Sequence, residues 1–235
     1  MPFDPRLVWL FDIDGTLIHT DGAARQAFSA ALHTRLGVAD DLRDIAFAGR
    51  TDPLILADIL RKHGRALPPD QVALFWQAAC REMEGLLTPG RGRVLPGVED
   101  LLSRIAAEPR WVRALLTGNT TAMARVKLGH FGLADRFAFG AFGEEAPDRN
   151  HLARLAVARA GASGVPPERC VVVGDTELDI ECARAAGARA VAVATGVRRR
   201  PELEAHAPDL LLDDLTGADA LLEWARVGAR RDCPT

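Results

Sequence analysis

The chain is poor in the features that would assign it quickly to a class. Its four cysteines, Cys80, Cys170, Cys182 and Cys233, are scattered with no C-x-x-C pair. Cys170 opens an apolar run and Cys80 falls in a helical pattern, so both read as buried thiols in a reducing compartment. Long hydrophobic runs are missing. The apolar stretch near the N-terminus, residues 7–11, is far too short for a membrane span or a signal-peptide core, and no basic segment precedes it. The expectation is a cytoplasmic protein without membrane association, in which Asn119-Thr120-Thr121 carries no glycan. A basic excess is also missing: 29 Lys and Arg stand against 32 Asp and Glu, a formal net charge of −3. That balance argues against binding a nucleic-acid backbone. The longest basic run, Arg198-Arg199-Arg200, is followed by Pro201, Glu202 and Glu204 and predicts a solvated loop. There is no internal repeat. The last residues, 228–235, are expected to fray, and nothing indicates the oligomeric state.

What is present is ordinary for a soluble globular protein: 235 residues, 48% hydrophobic and 26% charged. One domain with a modest insertion suits that length. Apolar, β-rich runs at 7–11, 113–117, 170–174, 189–195 and 210–212 alternate with helical patterns at 97–107, 121–131, 149–160, 177–186 and 218–227. Strands that are apolar without alternation, separated by helices, predict an α/β fold with a doubly wound parallel sheet covered on both faces. Residues 18–93 break the alternation. They show helical spacing at 22–36, 53–63 and 69–87 and no convincing strand. The run 88–97, rich in Gly and Pro, predicts a hinge. The expected organisation is therefore an α/β core of residues 1–17 and 94–235, interrupted by an all-helical domain at 18–93.

Parallel α/β folds bind ligands at the carboxyl ends of their strands. The first strand runs into Asp12-Ile13-Asp14-Gly15-Thr16, whose two carboxylates can point to one side and share a hard cation. The second runs into Thr117-Gly118-Asn119. There Thr117 offers a hydroxyl, Gly118 lets the backbone approach an anion, and a helix start follows. The third ends in Gly174-Asp175, with Asp179 one helical turn further on. Each also reads as an ordinary acidic turn or helix cap. Together, four acidic groups at neighbouring strand ends would repel strongly, and Mg²⁺ with oxygen ligands resolves that repulsion.

In these motifs the chain resembles the haloacid dehalogenase-like (HAD) hydrolases. Asp12 to Thr16, Thr117, and Gly174-Asp175 with Asp179 look like that superfamily's motifs I, II and IV. Leu95-Pro96-Gly97-Val98 resembles its return from cap to core. The helical insertion resembles the C1 cap of the phosphoglycolate phosphatase and β-phosphoglucomutase-like branch. The resemblance implies a phosphatase acting on a small phosphorylated metabolite, with Asp12 as nucleophile forming an aspartyl phosphate and Asp14 as general acid and base. It implies Mg²⁺ held by Asp12, the Asp14 carbonyl and Asp175, with Asp179 orienting a ligand or water. Thr117, Gly118 and Asn119 would bind the phosphoryl group.

The chain departs from this pattern at motif III. The usual Lys is absent from Glu144-Glu145-Ala146-Pro147-Asp148-Arg149. Arg149, 26 residues before Asp175, is one candidate for the missing cation, though Arg and Lys are not interchangeable. Lys127, on the helix after motif II, is the other, unless it is simply exposed. In the insertion, Arg50 either reaches toward substrate or belongs to a turn in which Thr51 or Asp52 caps the next helix. His19 could line the entrance. The competing functions are a sugar phosphomutase of the same branch, a dehalogenase, a phosphonatase with Lys62, beside His63, as Schiff base, and a non-catalytic binding module.

Overall fold

Leu7, Val8, Trp9, Leu10 and Phe11 form strand β1 (Leu7–Phe11), and all five side chains are buried. A strand sends alternate side chains to opposite faces, so five consecutive apolar residues need cover on both sides. Leu7, Trp9 and Phe11 enter an apolar cluster with Leu101, Leu102 and Ile105 of one helix, Val98–Ala107. Val8 and Leu10 enter a second with Leu152, Ala153 and Ile180 from two others, Arg149–Gly161 and Glu177–Ala185. Each large side chain buried this way contributes about 1.5–3 kcal/mol, which holds β1 at the centre of the sheet.

The computed structural model describes residues 6–231. The remaining strands are β2 (Ile18–His19), β3 (Arg93–Val94), β4 (Trp111–Leu116), β5 (Phe139–Ala141), β6 (Cys170–Gly174), β7 (Arg189–Val193) and β8 (Leu210–Leu212). Six of the eight strands, β1 included, form one sheet in the order β5-β4-β1-β6-β7-β8, with every pair parallel. From β1 the chain builds outward on one side through β4 and β5, then returns to build the other through β6, β7 and β8. The switch point lies at the carboxyl end of β1, where such folds leave a crevice. The helices are α1 (Ala23–Leu36), α2 (Asp52–Lys62), α3 (Pro69–Leu86), α4 (Val98–Ala107), α5 (Thr121–His130), α6 (Arg149–Gly161), α7 (Glu177–Ala185), α8 (Arg200–Glu204) and α9 (Ala218–Arg231).

Helices α1, α2 and α3 have an apolar cluster of their own, built on Phe28, Leu32, Ile55, Ile59, Phe75 and Met83. Met123, from α5 of the main fold, is buried in that same cluster. The insertion is therefore fastened to the core through α5.

Four expectations need correction. Residues 18–93 are bounded by an antiparallel ribbon, Ile18 opposite Val94 and His19 opposite Arg93, and two-residue strands leave no periodic signal. Strand β5 escaped notice for the same reason, being three residues long with a central glycine. The basic run is not a free loop. Arg198 Nε and Nη2 lie 2.6 and 2.5 Å from the Glu177 carboxylate, and α8 starts at Arg200 because Pro201 suits a first helical turn. At the C-terminus, α9 continues through Gly228 to Arg231, beyond the residue where fraying was expected. Residues 232–235, with Cys233, lie outside the described residues, as do residues 1–5. Cys170 and Cys182 are buried, and burial pushes both thiols up to about 12; Cys80 is half-buried. No helix among the described residues is long and apolar enough to cross a membrane.

Candidate active site

The turn after β1 aims two carboxylates into the crevice. Leu17 and Ile18 both donate their N–H to the Ile13 carbonyl, at 2.9 and 3.1 Å, and Gly15 N–H donates to the Ile18 carbonyl at 2.8 Å. Gly15 holds φ +80°, a region open to glycine at little cost. Its missing side chain also makes room: a Cβ there would collide with the Asp175 carboxylate, and so would one on Gly196 after β7. Asp175 is thus set at the end of β6 between two bare stretches of backbone, with Thr16 Oγ1 3.3 Å from its Oδ1.

Oxygens of Asp12, Asp175 and Asp179 lie within 4.8 Å of one another, and all three residues are buried. At that spacing two carboxylates repel by roughly 3–4 kcal/mol at an effective dielectric constant near 20. Burial, opposed by Arg149 and reinforced by Asp179 and Asp14, raises the Asp12 carboxyl to about 6. Burial and then Asp179 and Asp12 raise Asp175 well above the ordinary carboxylate range. Arg149 opens α6 because Asp148 caps that helix, accepting the His151 N–H at 2.9 Å. Its Nη2 bonds Asp179 and stands 3.2 Å from Asp12 Oδ1. Burial opposes the guanidinium charge, but Asp179 and Asp12 outweigh it and hold Arg149 firmly protonated. When all three carboxylates are ionised, as a bound cation favours, they and one guanidinium leave two negative charges, all on hard oxygen donors. That set fits a divalent hard cation. Asp179 is already committed, since its Oδ2 also accepts Thr176 N–H at 3.0 Å and Oγ1 at 2.7 Å. Asp12 and Asp175 are therefore the direct ligand candidates.

Asp14 sits on the other side. Lys127 Nζ lies 2.6 Å from its Oδ2, and Asn119 Nδ2 lies 2.8 Å from the same oxygen. Asn119 also accepts from Lys127 at 2.6 Å and donates to Thr117 Oγ1 at 2.9 Å. Thr117 is fully buried and keeps its own O–H to donate.

The family model described as haloacid dehalogenase-like hydrolase matches residues 8–187. The chain belongs to this family. A phosphoglycolate phosphatase from Cereibacter sphaeroides is 31% identical over 216 residues, 86% of this chain and 96% of that protein. The crystal structure of CbbY from Rhodobacter sphaeroides with phosphate superposes with a TM-score of 0.71 at 26% identity, covering 90% of this chain and 96% of that one. A β-phosphoglucomutase from Clostridium difficile shares the fold at TM-score 0.71 and 18% identity, over 96% and 98% of the two chains. This haloacid dehalogenase-like protein is a phosphatase of the C1-capped branch.

For this family member the two candidates for the motif III cation are both in the site. Arg149 is 6% exposed beside Asp12, and Lys127 is 2% exposed beside Asp14, so the alternative of Lys127 as an exposed helix residue is overturned. The helical pattern of α5 could not reveal that the insertion covers this face. Gly118 lies against the Arg50 carbonyl, where a Cβ would not fit.

On the insertion side, the site opens into a cavity of about 590 Å³ whose lining includes Asp12, Asp14, Lys127 and Arg149 from the core and Phe47 and Arg50 from the insertion. Arg50 is paired with Asp58 rather than reaching into the site. Thr51 precedes α2 without making a capping bond, and its hydroxyl is buried without a partner. Asp52 does something neither reading anticipated. Its carboxylate accepts Thr120 N–H at 2.7 Å, and its own N–H donates to the Gly118 carbonyl at 2.7 Å. One residue thereby staples α2 to the loop after β4. Burial, opposed chiefly by Lys127, raises its carboxyl to about 7. A buried Asp at a helix start is a weak sequence signal, because capping explains it equally well. His19 does line the cavity, 2.8 Å from Asp21. Lys62 lies 2.6 Å from both Asp40 and Asp44, which hold its ammonium up. A Schiff-base lysine requires the opposite.

Proposed function

We propose that this protein hydrolyses small-molecule phosphate monoesters in two displacements on Asp12, with Mg²⁺ as cofactor. The observation that carries the reading is the Asp12 carboxylate, set at the switch point of the sheet between Arg149 and the Asp175 side chain. In the first displacement a carboxylate oxygen of Asp12 bonds to phosphorus as the ester oxygen leaves, taking a proton from Asp14. In the second, water loses its proton to Asp14 and bonds to phosphorus, and the Asp12–phosphorus bond breaks to release phosphate.

Mg²⁺, when bound, supplies the charge neutralisation that lets a carboxylate meet a phosphate dianion. Asp12, Asp175 and the Asp14 carbonyl would hold it, with Asp179 fixing Arg149 and Thr176 around them. Lys127 and Arg149 bring cationic N–H donors to opposite sides of the reacting carboxylates, and Thr117, Gly118 and Asn119 form the phosphoryl-binding turn. Residues 18–93 act as a cap that covers the site and excludes bulk water. Phosphoglycolate, the substrate named for the Cereibacter relative, is the first ester to assay.

The test is hydrolysis of p-nitrophenyl phosphate with Mg²⁺ or with EDTA, in the native protein and in Asp12→Asn. Turnover should require Mg²⁺ and vanish in the variant. Activity that survives Asp12→Asn sinks the covalent mechanism. Phosphate release that rises only with a bisphosphorylated sugar primer would instead identify a mutase.

A further inference from the structure

The cavity is lined by six long cationic side chains, and five of them already have carboxylate partners. Lys127 is paired with Asp14, Arg149 with Asp12 and Asp179, Arg50 with Asp58, Arg43 with Asp41, and Arg198 with Glu177. Arg25 is the exception: among the described residues no carboxylate lies within ion-pair distance of it. Its position is nonetheless built. Arg25 Nη1 donates to the main-chain carbonyls of Leu42 and Ile45, the latter at 2.9 Å. The guanidinium carbon sits 4.5 Å from the centre of the Phe47 ring, a stacking geometry that holds the plane without neutralising the charge. Neither Nε nor Nη2 is among the buried nitrogen atoms left without a partner, and neither has a hydrogen bond within the protein, so both remain accessible. A half-buried guanidinium, oriented by two carbonyls and an aromatic ring on the wall of a substrate cavity, is organised to receive an anion.

From this we infer that Arg25 is a specificity-determining residue, and that the preferred phosphate esters carry a second anionic group, a carboxylate or a phosphate, on the leaving-group side. The inference rests on the phosphatase reading. Arg50, the cap cation that the sequence suggested for substrate, is neutralised by Asp58, whereas Arg25 retains an uncompensated charge. Of the three Arg25 N–H groups outside the Leu42 and Ile45 bonds, the one on Nε and one on Nη2 match the two oxygens of a carboxylate or two of a phosphate. The cavity volume of about 590 Å³ leaves room for a leaving group longer than two carbons.

The test compares esters that differ in one group. 3-Phosphoglycerate and glycerol 3-phosphate exchange a carboxylate for a hydroxymethyl; fructose 1,6-bisphosphate and fructose 6-phosphate differ by one phosphate. The native protein should favour one anionic member by about 10- to 100-fold in kcat/KM, the range for a charge-assisted, bidentate contact, and the pair that shows it identifies the group. Arg25→Gln should collapse that ratio toward one, chiefly by raising KM for the anionic ester, and Arg25→Lys should retain part of it. If Arg25→Gln lowers both members of a pair equally, the residue is only structural and the inference falls. Native protein that turns over all four esters with no preference for an anionic member overturns it as well. Failure to turn over any ester overturns the phosphatase reading instead. Should Arg25→Gln fail to fold, loss of the ratio in Arg25→Met with Lys still supporting it decides the question.

Discussion

Lys127 Nζ stands 2.6 Å from Asp14 Oδ2, across 113 residues of sequence. On the other side, Arg149 Nη2 stands 3.2 Å from Asp12 Oδ1. Two helices on separate parts of the chain therefore each present one cation to one carboxylate of the Asp12–Asp14 pair. Under the proposed mechanism, these two residues would supply the positive charge that a phosphoryl group requires.

The two cations should fail differently. Removing one aimed donor from a reacting centre typically costs about 10²- to 10³-fold in kcat, and Lys127→Ala should fall in that range with a nearly native melting temperature. Arg149→Ala should lose as much activity and also stability, because the buried Asp12 and Asp179 then lose their cationic partner, a change that costs roughly 3–5 kcal/mol. Steady-state kinetics and thermal melting on the two variants separate the effects; equal destabilisation would contradict this assignment.

Asp52 should write a pH dependence into stability. Its carboxyl rises from 3.8 to about 7 on folding, with burial the main cause. The folded state therefore binds the proton more tightly, so the contribution is full below about pH 4 and is lost as pH climbs toward about 7. Asp52→Asn keeps an acceptor for the Thr120 N–H and abolishes the titration. Near pH 4 the two proteins should melt close together, and toward pH 8 the variant should melt progressively higher, by about 2–4 °C for each kcal/mol recovered. Parallel melting curves across that range would refute the burial argument.

Gly196 should be intolerant of a methyl group, since a Cβ there collides with the Asp175 carboxylate. Gly196→Ala should displace that side chain and raise the Mg²⁺ concentration needed for half-maximal activity by about tenfold or more, given how metal sites depend on their supporting residues. Calorimetric titration with Mg²⁺ provides the independent reading. Unchanged affinity would show that Asp175 is not a ligand.

Mg²⁺ should also stabilise the fold. A cation that binds only the native state adds about 2.7 kcal/mol at one hundred times its Kd, and here it would further offset repulsion among Asp12, Asp175 and Asp179. Melting temperature should rise with Mg²⁺ in the native protein and hardly move in Asp175→Asn. Equal shifts in both would place the ion elsewhere.

Local chemistry made much of this readable in advance. Strands β1 and β6 are continuous apolar runs because both faces of the sheet are covered, and Asp12, Asp14, Asp175 and Asp179 follow those runs at short, fixed intervals. Short elements were not legible. The β2–β3 ribbon spans two residues a strand and β5 only three, too few for a period to show.

The sequence by itself determined the sheet, the acidic strand ends and their carboxylates, since these depend on neighbours a few residues apart. Tertiary structure decided which side chains meet them. Lys127 read equally as a site cation or a surface lysine until the insertion covered α5, and a capping role for Asp52 was one of two readings of its turn until α2 met the loop after β4. Arg50 and Arg25 are alike in charge, yet Asp58 neutralises one while carbonyls and a ring hold the other. Such roles depend on distances between segments far apart in the chain, which only packing of the insertion against the core sets.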